Sequence, residues 1–358
     1  MDLQLFFRKN LLHWNTNTNK RQMPWKGESD PYKIWLSEII LQQTRVEQGW
    51  KYYENFISKY PNISALADAK DDDVFKLWEG LGYYSRCKNL LATARLVASK
   101  YNGKFPANYD DILELKGIGP YTAAAISSFA YNLPYAVVDG NVYRVLSRFF
   151  GIEMPTDSTE GKKLFTKLAD ECLDKNDARH YNQAIMDFGA TVCTPALPAC
   201  ANCVLQKKCV AFATHKQQLL PIKEKILKKK TRHFNYFIIE YAGNVLLRKR
   251  TEKDIWQNLH EFYLSESAQN IAWTDAGAQQ LLKNQLKIDV EVINRSNSFT
   301  QLLTHQTIIV NFILVRALNA FPLSADFFLF PQKKIRQMAF PKVINQYLDT
   351  SFLQANLF

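Results

Sequence analysis

The sequence predicts two domains of different class: an all-α region reaching to about residue 220, and a separate α+β domain beginning near residue 235. Three observations carry this. Apolar residues recur at three- and four-residue steps through "YKIWLSEIILQQTRV", "DDVFKLWEGL", "RCKNLLATARLVASKY", "YTAAAISSFAY" and "ARHYNQAIMDFGATVC", the period of helices with one buried face. Past residue 234 the texture becomes β-branched and aromatic. Between the two lie four closely spaced cysteines and a charged, mostly basic run, "PIKEKILKKKTRHF" (221–234). That run reads as a solvated linker, with contact to a phosphate backbone as an optional addition.

The bulk properties agree. A chain of 358 residues suggests two or three domains, and a hydrophobic content of 47% allows a sizeable core. The formal charge of +11 suits a polyanion, nucleic acid before anionic membrane. No run approaches the roughly 18 unbroken apolar residues of a membrane span. The opening "MDLQLFFRKNLLHW" makes a poor secretory signal. Of six cysteines, Cys87 and Cys172 are isolated, while Cys193, Cys200, Cys203 and Cys209 share one segment. That distribution fits a metal or cluster site in a reducing, cytoplasmic compartment better than a disulfide framework. By residue type alone, four thiolates suit zinc and an iron–sulfur cluster equally.

In the helical region, "LKGIGPYTAAA" (115–125) forms a helix, tight hairpin, helix unit with the preceding "YDDILEL". Gly117 and Gly119 permit positive φ or close backbone approach. Pro120 fits the first position of a helix, and the free N–H groups there make an anion site. An ordinary interhelical turn has the same local pattern. In the C-terminal region, "FNYFIIEYAGNVLLRKR" reads as strand, turn, strand. "DVEVINR" and "TIIVNFILVRAL" read as strands, and "DAGAQQLLKNQL" and "KVINQYLDT" as helices.

At this point the residues match a family. "LKGIGPYTAAAISSFAYNLPYAVVDGNVYRVLSR" resembles the helix-hairpin-helix plus Gly-Pro-Asp motif of base-excision DNA glycosylases. "WLSEIILQQTRV", "WEGLGYYSR" and the four-cysteine segment are similar to MutY-type adenine DNA glycosylases. The resemblance covers nearly the whole chain, strong to about Cys209 and weaker beyond. It implies a multidomain protein: an all-α helix-hairpin-helix catalytic domain (1–220) with a 4Fe-4S loop (193–209), the basic linker (221–234), and a MutT (Nudix)-like α+β domain (235–358) that recognises 8-oxoguanine. It implies a monomeric, nucleoid-associated enzyme that excises adenine mispaired with 8-oxoguanine or guanine in double-stranded DNA.

Cutting an N-glycosidic bond calls for protonation of the leaving base and stabilisation of the sugar cation, which paired carboxyl groups with opposite pKa tuning provide. On a helix Glu38 shares a face with Ile34, Trp35, Leu41 and Gln42, so burial favours its protonated form. The alternative is a helix-edge glutamate reaching water. Asp139, in "AVVDGNVYRVLSR", is expected to be held ionised by helix N–H groups; a plain cap or turn residue reads the same. The resemblance makes Glu38 the acid and Asp139 the stabiliser of the cation, with Asn141 orienting a partner or water. Tyr121 stands where endonuclease III-like relatives carry a lysine nucleophile, and a tyrosine forms no imine. The resemblance therefore implies base removal without strand cleavage. A bifunctional glycosylase/lyase is the first rival and a catalytically inactive lesion-binding protein the second; Glu38 and Asp139 count against the latter.

Further roles come only from the resemblance. Gln43 and Tyr83 match positions inserted beside the estranged 8-oxoguanine, with Thr44 and Leu81 lining the same place; by itself Tyr83 reads as a core aromatic. Arg21, Trp25 and Gln183 match the adenine pocket. "LLTHQ" matches a Phe-Ser-His loop that reads 8-oxoguanine: His305 is kept, Thr304 retains a hydroxyl, and Leu303 loses the aromatic ring. Gln257 and Asn258 stand where the family pattern has glycines, which puts that loop's shape in question. No acidic Nudix hydrolase box follows, so no nucleotide hydrolysis is expected. Lys207 and Lys208, inside the cysteine loop, could meet phosphate.

Overall fold

The computed structural model describes residues 2–224 and 229–350; part of the basic linker (225–228) and the end of the expected C-terminal domain (351–358) lie outside the described residues. The chain divides into two compact units, Met1–Asp68 with Asn89–Ile226, and Ala69–Lys88 with Leu227–Phe358. Its helices are α1 (Leu3–Asn17), α2 (Pro31–Leu41), α3 (Val46–Lys59), α4 (Ile63–Ala67), α5 (Asp71–Trp78), α6 (Tyr84–Lys100), α7 (Tyr109–Leu113), α8 (Pro120–Tyr131), α9 (Gly140–Phe150), α10 (Thr159–Cys172), α11 (Ala178–Thr191) and α12 (Val210–Ala213), with α13 (Asp275–Leu286) and α14 (Lys342–Asp349) in the C-terminal part. No described helix is long and apolar enough to cross a membrane.

Side-chain caps fix where several helices of the first unit begin. Asp30 accepts from the Tyr32 N–H with Pro31 in the first turn of α2, Asp139 caps α9, Ser158 caps α10 and Asp177 caps α11. The core of this unit is built from Phe7, Leu11 and Trp14 of α1, Val145 and Phe149 of α9, Phe165 of α10, and Tyr181 and Phe188 of α11. α2 has no polar stripe: Ile34 through Ile40 are all buried, as expected of a helix enclosed on every side. Glu38 is buried with its neighbours on this helix, which decides its question in favour of burial. α9 and α11 lie so close that a Cβ on Gly189 would come within 2.7 Å of the Asn141 Cβ and 3.0 Å of its carbonyl oxygen.

The second unit is a mixed sheet of β1 (Lys230–Tyr241), β2 (Asn244–Lys249), β3 (His260–Glu261), β4 (Tyr263–Ser267), β5 (Val290–Arg295), β6 (Phe299–Leu302), β7 (Gln306–Ala317) and β8 (Phe327–Pro331). The expected hairpin is present: Ala242 (φ 48°) and Gly243 (φ 74°) form the two-residue turn between β1 and β2, the left-handed pair that suits the twist of hairpin strands. β1 pairs in parallel with β7, from Lys230 opposite Gln306 to Glu240 opposite Arg316. β1 is buried without interruption from Phe234 to Ile239, as parallel strands covered on both faces are. α13 covers one face, with Ala278 and Leu282 against Phe237, Ile239 and Val315. On the other, Tyr347 of α14 stacks on Phe312 at 4.1 Å, and Phe312 on Tyr236.

Residues 69–88 read as helical and fell within the expected helical domain, yet by contact they group with the C-terminal unit. Asp72 is paired with Lys249 at 2.6 Å, the Lys76 ammonium donates to the Met338 carbonyl, and the Glu79 carboxylate accepts from the Phe340 N–H. Periodicity reports which face of a helix is buried, not which partner buries it.

Gly189→Val forces α9 and α11 apart, since overpacking of this kind costs about 1–3 kcal/mol. Calorimetry is expected to show a Tm several degrees lower, and a wild-type Tm would show that the two helices relax freely.

Candidate active site

One cavity of about 700 Å³ in the first unit gathers the expected catalytic and adenine-pocket residues together with Gln43 and Thr44. Arg21, Trp25, Glu38, Gln43, Thr44, Tyr121, Asp139, Asn141 and Gln183 all line it. Glu38, supplied by the enclosed α2, is only 7% exposed. Burial pushes its carboxyl up to about 7, and the neighbouring Asp139 charge pushes the same way, while a hydrogen bond from Tyr121 opposes them. The Tyr121 hydroxyl, in the first turn of α8, is driven well above its usual range by burial and by the Glu38 and Asp139 charges, so it is a proton donor at any relevant pH.

Asp139 caps α9 with both carboxylate oxygens engaged. Oδ1 accepts from the Val142 N–H at 2.8 Å and Oδ2 from the Asn141 side-chain amide at 2.7 Å. Its expected depression does not hold: burial raises its pKa, and the Val142 and Asn141 hydrogen bonds and the Arg144 charge only moderate the rise. The cap is as expected, but desolvation outweighs it. Asn141 is itself fixed, its Oδ1 accepting from Arg144 Nη2 at 2.7 Å.

The pocket wall depends on a residue that sequence reasoning passed over. Asp187, on α11, is fully buried. Its carboxylate pairs with Arg21 and Lys26, each at 2.8 Å, and accepts from Gln183 at 3.0 Å and Asn19 at 2.8 Å. Arg21 and Gln183 thus hold their places through a shared buried anion. A lone acid inside the apolar run "AIMDFG", four residues after Gln183, was the available signal. Trp25 is set edge-on against Tyr53, ring centroids 5.4 Å apart.

Burial raises the Cys200, Cys203 and Cys209 thiols, and neighbouring cysteines of the segment, Cys193 among them, add to the rise, with Cys203 pushed up to about 11. Among the described residues, no three His, Cys, Asp or Glu side chains close to the spacing of a single-ion site. The segment is laced to α9. Arg144 Nε donates to the Cys193 carbonyl at 2.7 Å, and Arg148 donates to the Thr194 and Pro195 carbonyls and approaches Cys193 Sγ at 3.4 Å. These arginines are buried and directed inward.

In the hairpin between α7 and α8, only one glycine is conformationally required. Gly117 sits at φ 80°, and a Cβ there would meet Asn89 at 2.7 Å. Gly119 is extended (φ −102°) with open space around it, and it begins α8 without a side-chain cap. Positive φ at both glycines is therefore not what the structure has.

In the second unit Tyr83 is 44% exposed, not a core aromatic, and its hydroxyl hydrogen-bonds the Thr304 hydroxyl. Thr304 and His305 form the tip of the β6–β7 hairpin, closed by the Leu303 N–H to the Gln306 carbonyl at 2.8 Å. His305 is exposed, whereas Leu81 is buried. Tyr83 (φ 47°) and, in the first unit, Gln43 (φ 59°) both hold the left-handed backbone that side chains disfavour. Asn258 also adopts φ 70°, so the loop that usually carries glycines keeps a glycine-like backbone through an asparagine.

Residues 36–170 match the model of the HhH-GPD superfamily base excision DNA repair proteins, and residues 235–350 match a NUDIX domain. The chain is 35% identical over 332 residues to an adenine DNA glycosylase of Buchnera aphidicola subsp. Acyrthosiphon pisum, spanning 92% of this chain and 91% of that one. It is 38% identical over 223 residues to the adenine DNA glycosylase of Homo sapiens, spanning 60% of this chain and 41% of that one. Among solved structures, a thermostable thymine-DNA glycosylase aligns with a TM-score of 0.55 at 31% identity, over 59% of this chain and 97% of that chain. The chain thus belongs to the MutY-type adenine DNA glycosylase family and is a base-excision DNA glycosylase.

Proposed function

We propose that the protein hydrolyses the N-glycosidic bond of adenine mispaired with 8-oxoguanine, or with guanine, in duplex DNA, and leaves the strand intact. The observation that carries this is the buried pairing of Glu38 with Tyr121 beside Asp139 in a cavity large enough for a base. The adenine must leave the stack to reach it. Arg21, Trp25 and Gln183 then hold the base, Gln183 offering both a donor and an acceptor. Neutral Glu38 donates its proton to a ring nitrogen, and the C1′–N9 bond breaks with its electron pair leaving on adenine. Asp139 faces the resulting sugar cation as a carboxylate. Water adds to C1′, and its proton passes to a carboxylate, restoring the starting charge. Tyr121 supplies no amine, so no imine forms and the phosphodiester is not cut.

Gly117, Gly119 and the uncapped start of α8 suit a DNA phosphate, giving grip without sequence choice. Gln43, Thr44 and Tyr83 face the partner strand, and Thr304 with His305 reads 8-oxoguanine. The enzyme acts as a monomer in the cytoplasm, at the nucleoid. Cys193, Cys200, Cys203 and Cys209 would hold a 4Fe-4S cluster: their chemistry and mutual proximity fit one, and it would tie the segment together without taking part in hydrolysis.

Glu38→Gln is expected to bind an adenine:8-oxoguanine duplex while losing at least about 100-fold in single-turnover excision; normal turnover would remove the acid from Glu38. In the wild type, with the Glu38 carboxyl raised to about 7, the acid form predominates below that pH. The excision rate should therefore fall about tenfold per unit above it, and a rate that rises there would contradict the assignment. Borohydride should not trap the wild type on DNA, whereas efficient trapping would revive the lyase reading. Purified protein should show the broad visible absorbance of iron–sulfide charge transfer; a colourless, zinc-containing protein would replace the cluster by an ion.

A further inference from the structure

Tyr83 is held by a clamp that none of the roles above uses. It lies in the loop between α5 and α6, where Gly80 (φ 92°), Gly82 (φ 75°) and Tyr83 (φ 47°) all adopt the left-handed backbone. Such a run is costly for a chain to keep unless its surroundings over-determine it. Inside the loop, Trp78 Nε1 donates to the Gly82 carbonyl at 3.1 Å, and the Arg86 guanidinium lies 5.2 Å from the Trp78 ring and 5.5 Å from the Tyr83 ring. These contacts shape the loop. Placement comes from Glu79, the residue that ends α5. Its Oε1 accepts from the Phe340 N–H at 2.8 Å, and its Oε2 accepts from Lys76 at 2.7 Å, which also donates to the Met338 carbonyl at 3.1 Å. Gln257, one of the departures from the family's glycines, adds a contact to Lys88 at 3.3 Å on the far side of Tyr83.

We infer that the Lys76–Glu79 pair, clamped to the backbone of Met338–Phe340, is a positioning element that presents Tyr83 to Thr304 and thereby sets discrimination between 8-oxoguanine and guanine. Neither residue touches DNA in this scheme. They act by holding the Tyr83 hydroxyl on the Thr304 hydroxyl, so that the aromatic ring and the His305 hairpin meet the lesion as one surface. The C-terminal unit then contributes twice to selectivity: through its own hairpin, and by fixing a loop supplied from residues 69–88. A charge-assisted hydrogen bond tightens such a placement more than a neutral one, and positive-φ loops lose their order readily when an anchor is removed.

The inference rests on the 8-oxoguanine reading above, and the test separates the two. Dissociation constants are measured for duplexes carrying 8-oxoguanine or guanine opposite a 2′-fluorinated deoxyadenosine, which resists cleavage. The proteins compared are full-length wild type, Glu79→Ala, Glu79→Gln and Lys76→Met. The last keeps the aliphatic stem, drops both ammonium bonds and carries the test should Glu79→Ala not fold. Glu79→Ala is expected to reduce the 8-oxoguanine-to-guanine affinity ratio about tenfold, the scale of one lost bond to a charged group. Its single-turnover excision from the guanine duplex should stay within about twofold of wild type. Glu79→Gln, which keeps an acceptor for Phe340, should recover part of the ratio. Wild type binding both duplexes alike would overturn the 8-oxoguanine reading itself. Wild type that discriminates, with Glu79→Ala and Lys76→Met discriminating equally well or losing affinity for both duplexes alike, would overturn the clamp alone.

Discussion

Much of the first unit depends on how α9 begins. Asp139 closes the helix with one oxygen on a backbone N–H and the other on the Asn141 amide. A carboxylate held this way is placed by the backbone itself, with little freedom for the side chain to wander. The same helix continues into Arg144 and Arg148, which reach the carbonyls of the cysteine segment, and it packs against α11 where Gly189 leaves room for Asn141. Cap, pocket and cysteine segment are therefore referenced to one rigid element, the arrangement that keeps reacting groups within a fraction of an ångström.

Desolvation sets the electrostatics. Glu38 and Asp139 are both raised above their ordinary ranges by burial, but they differ in what opposes it. Glu38 has one hydrogen bond from Tyr121, whereas Asp139 has the Val142 N–H, the Asn141 side-chain amide and backbone N–H, and the Arg144 charge. The two carboxyls of one cavity are thus raised by the same cause and opposed by different partners. Tyr121 contributes by remaining protonated between them.

Local chemistry was legible in the sequence. The helix period, the β1–β2 turn, the hairpin glycines and Pro120, and the apolar neighbours of Glu38 each follow from residues close together in the chain. What escaped depends on partners far away. The Asp187 hub joins α11 to the segment after α1, and nothing near "AIMDFG" announces two cations more than 160 positions earlier. The inward turn of Arg144 and Arg148 depends on carbonyls that only the fold brings near. The sign of the Asp139 shift was missed because a cap is visible in sequence and the depth of burial around it is not. The strands β3, β4, β6 and β8 are short or carry mixed polarity, so they lack the pattern that revealed β1 and β7.

The grouping of residues 69–88 with the C-terminal unit has a consequence for how the chain matures. Glu79 and its backbone partner at Phe340 are 261 positions apart. At about 5–20 residues per second, a ribosome takes roughly ten to fifty seconds to cover that interval. β1 likewise has no parallel neighbour until β7 has been made. During that window the Tyr83 loop is a nascent segment without the backbone anchor that Phe340 gives Glu79. The anchor of the Tyr83 loop is thus completed only after every residue that lines the first unit's cavity has been made.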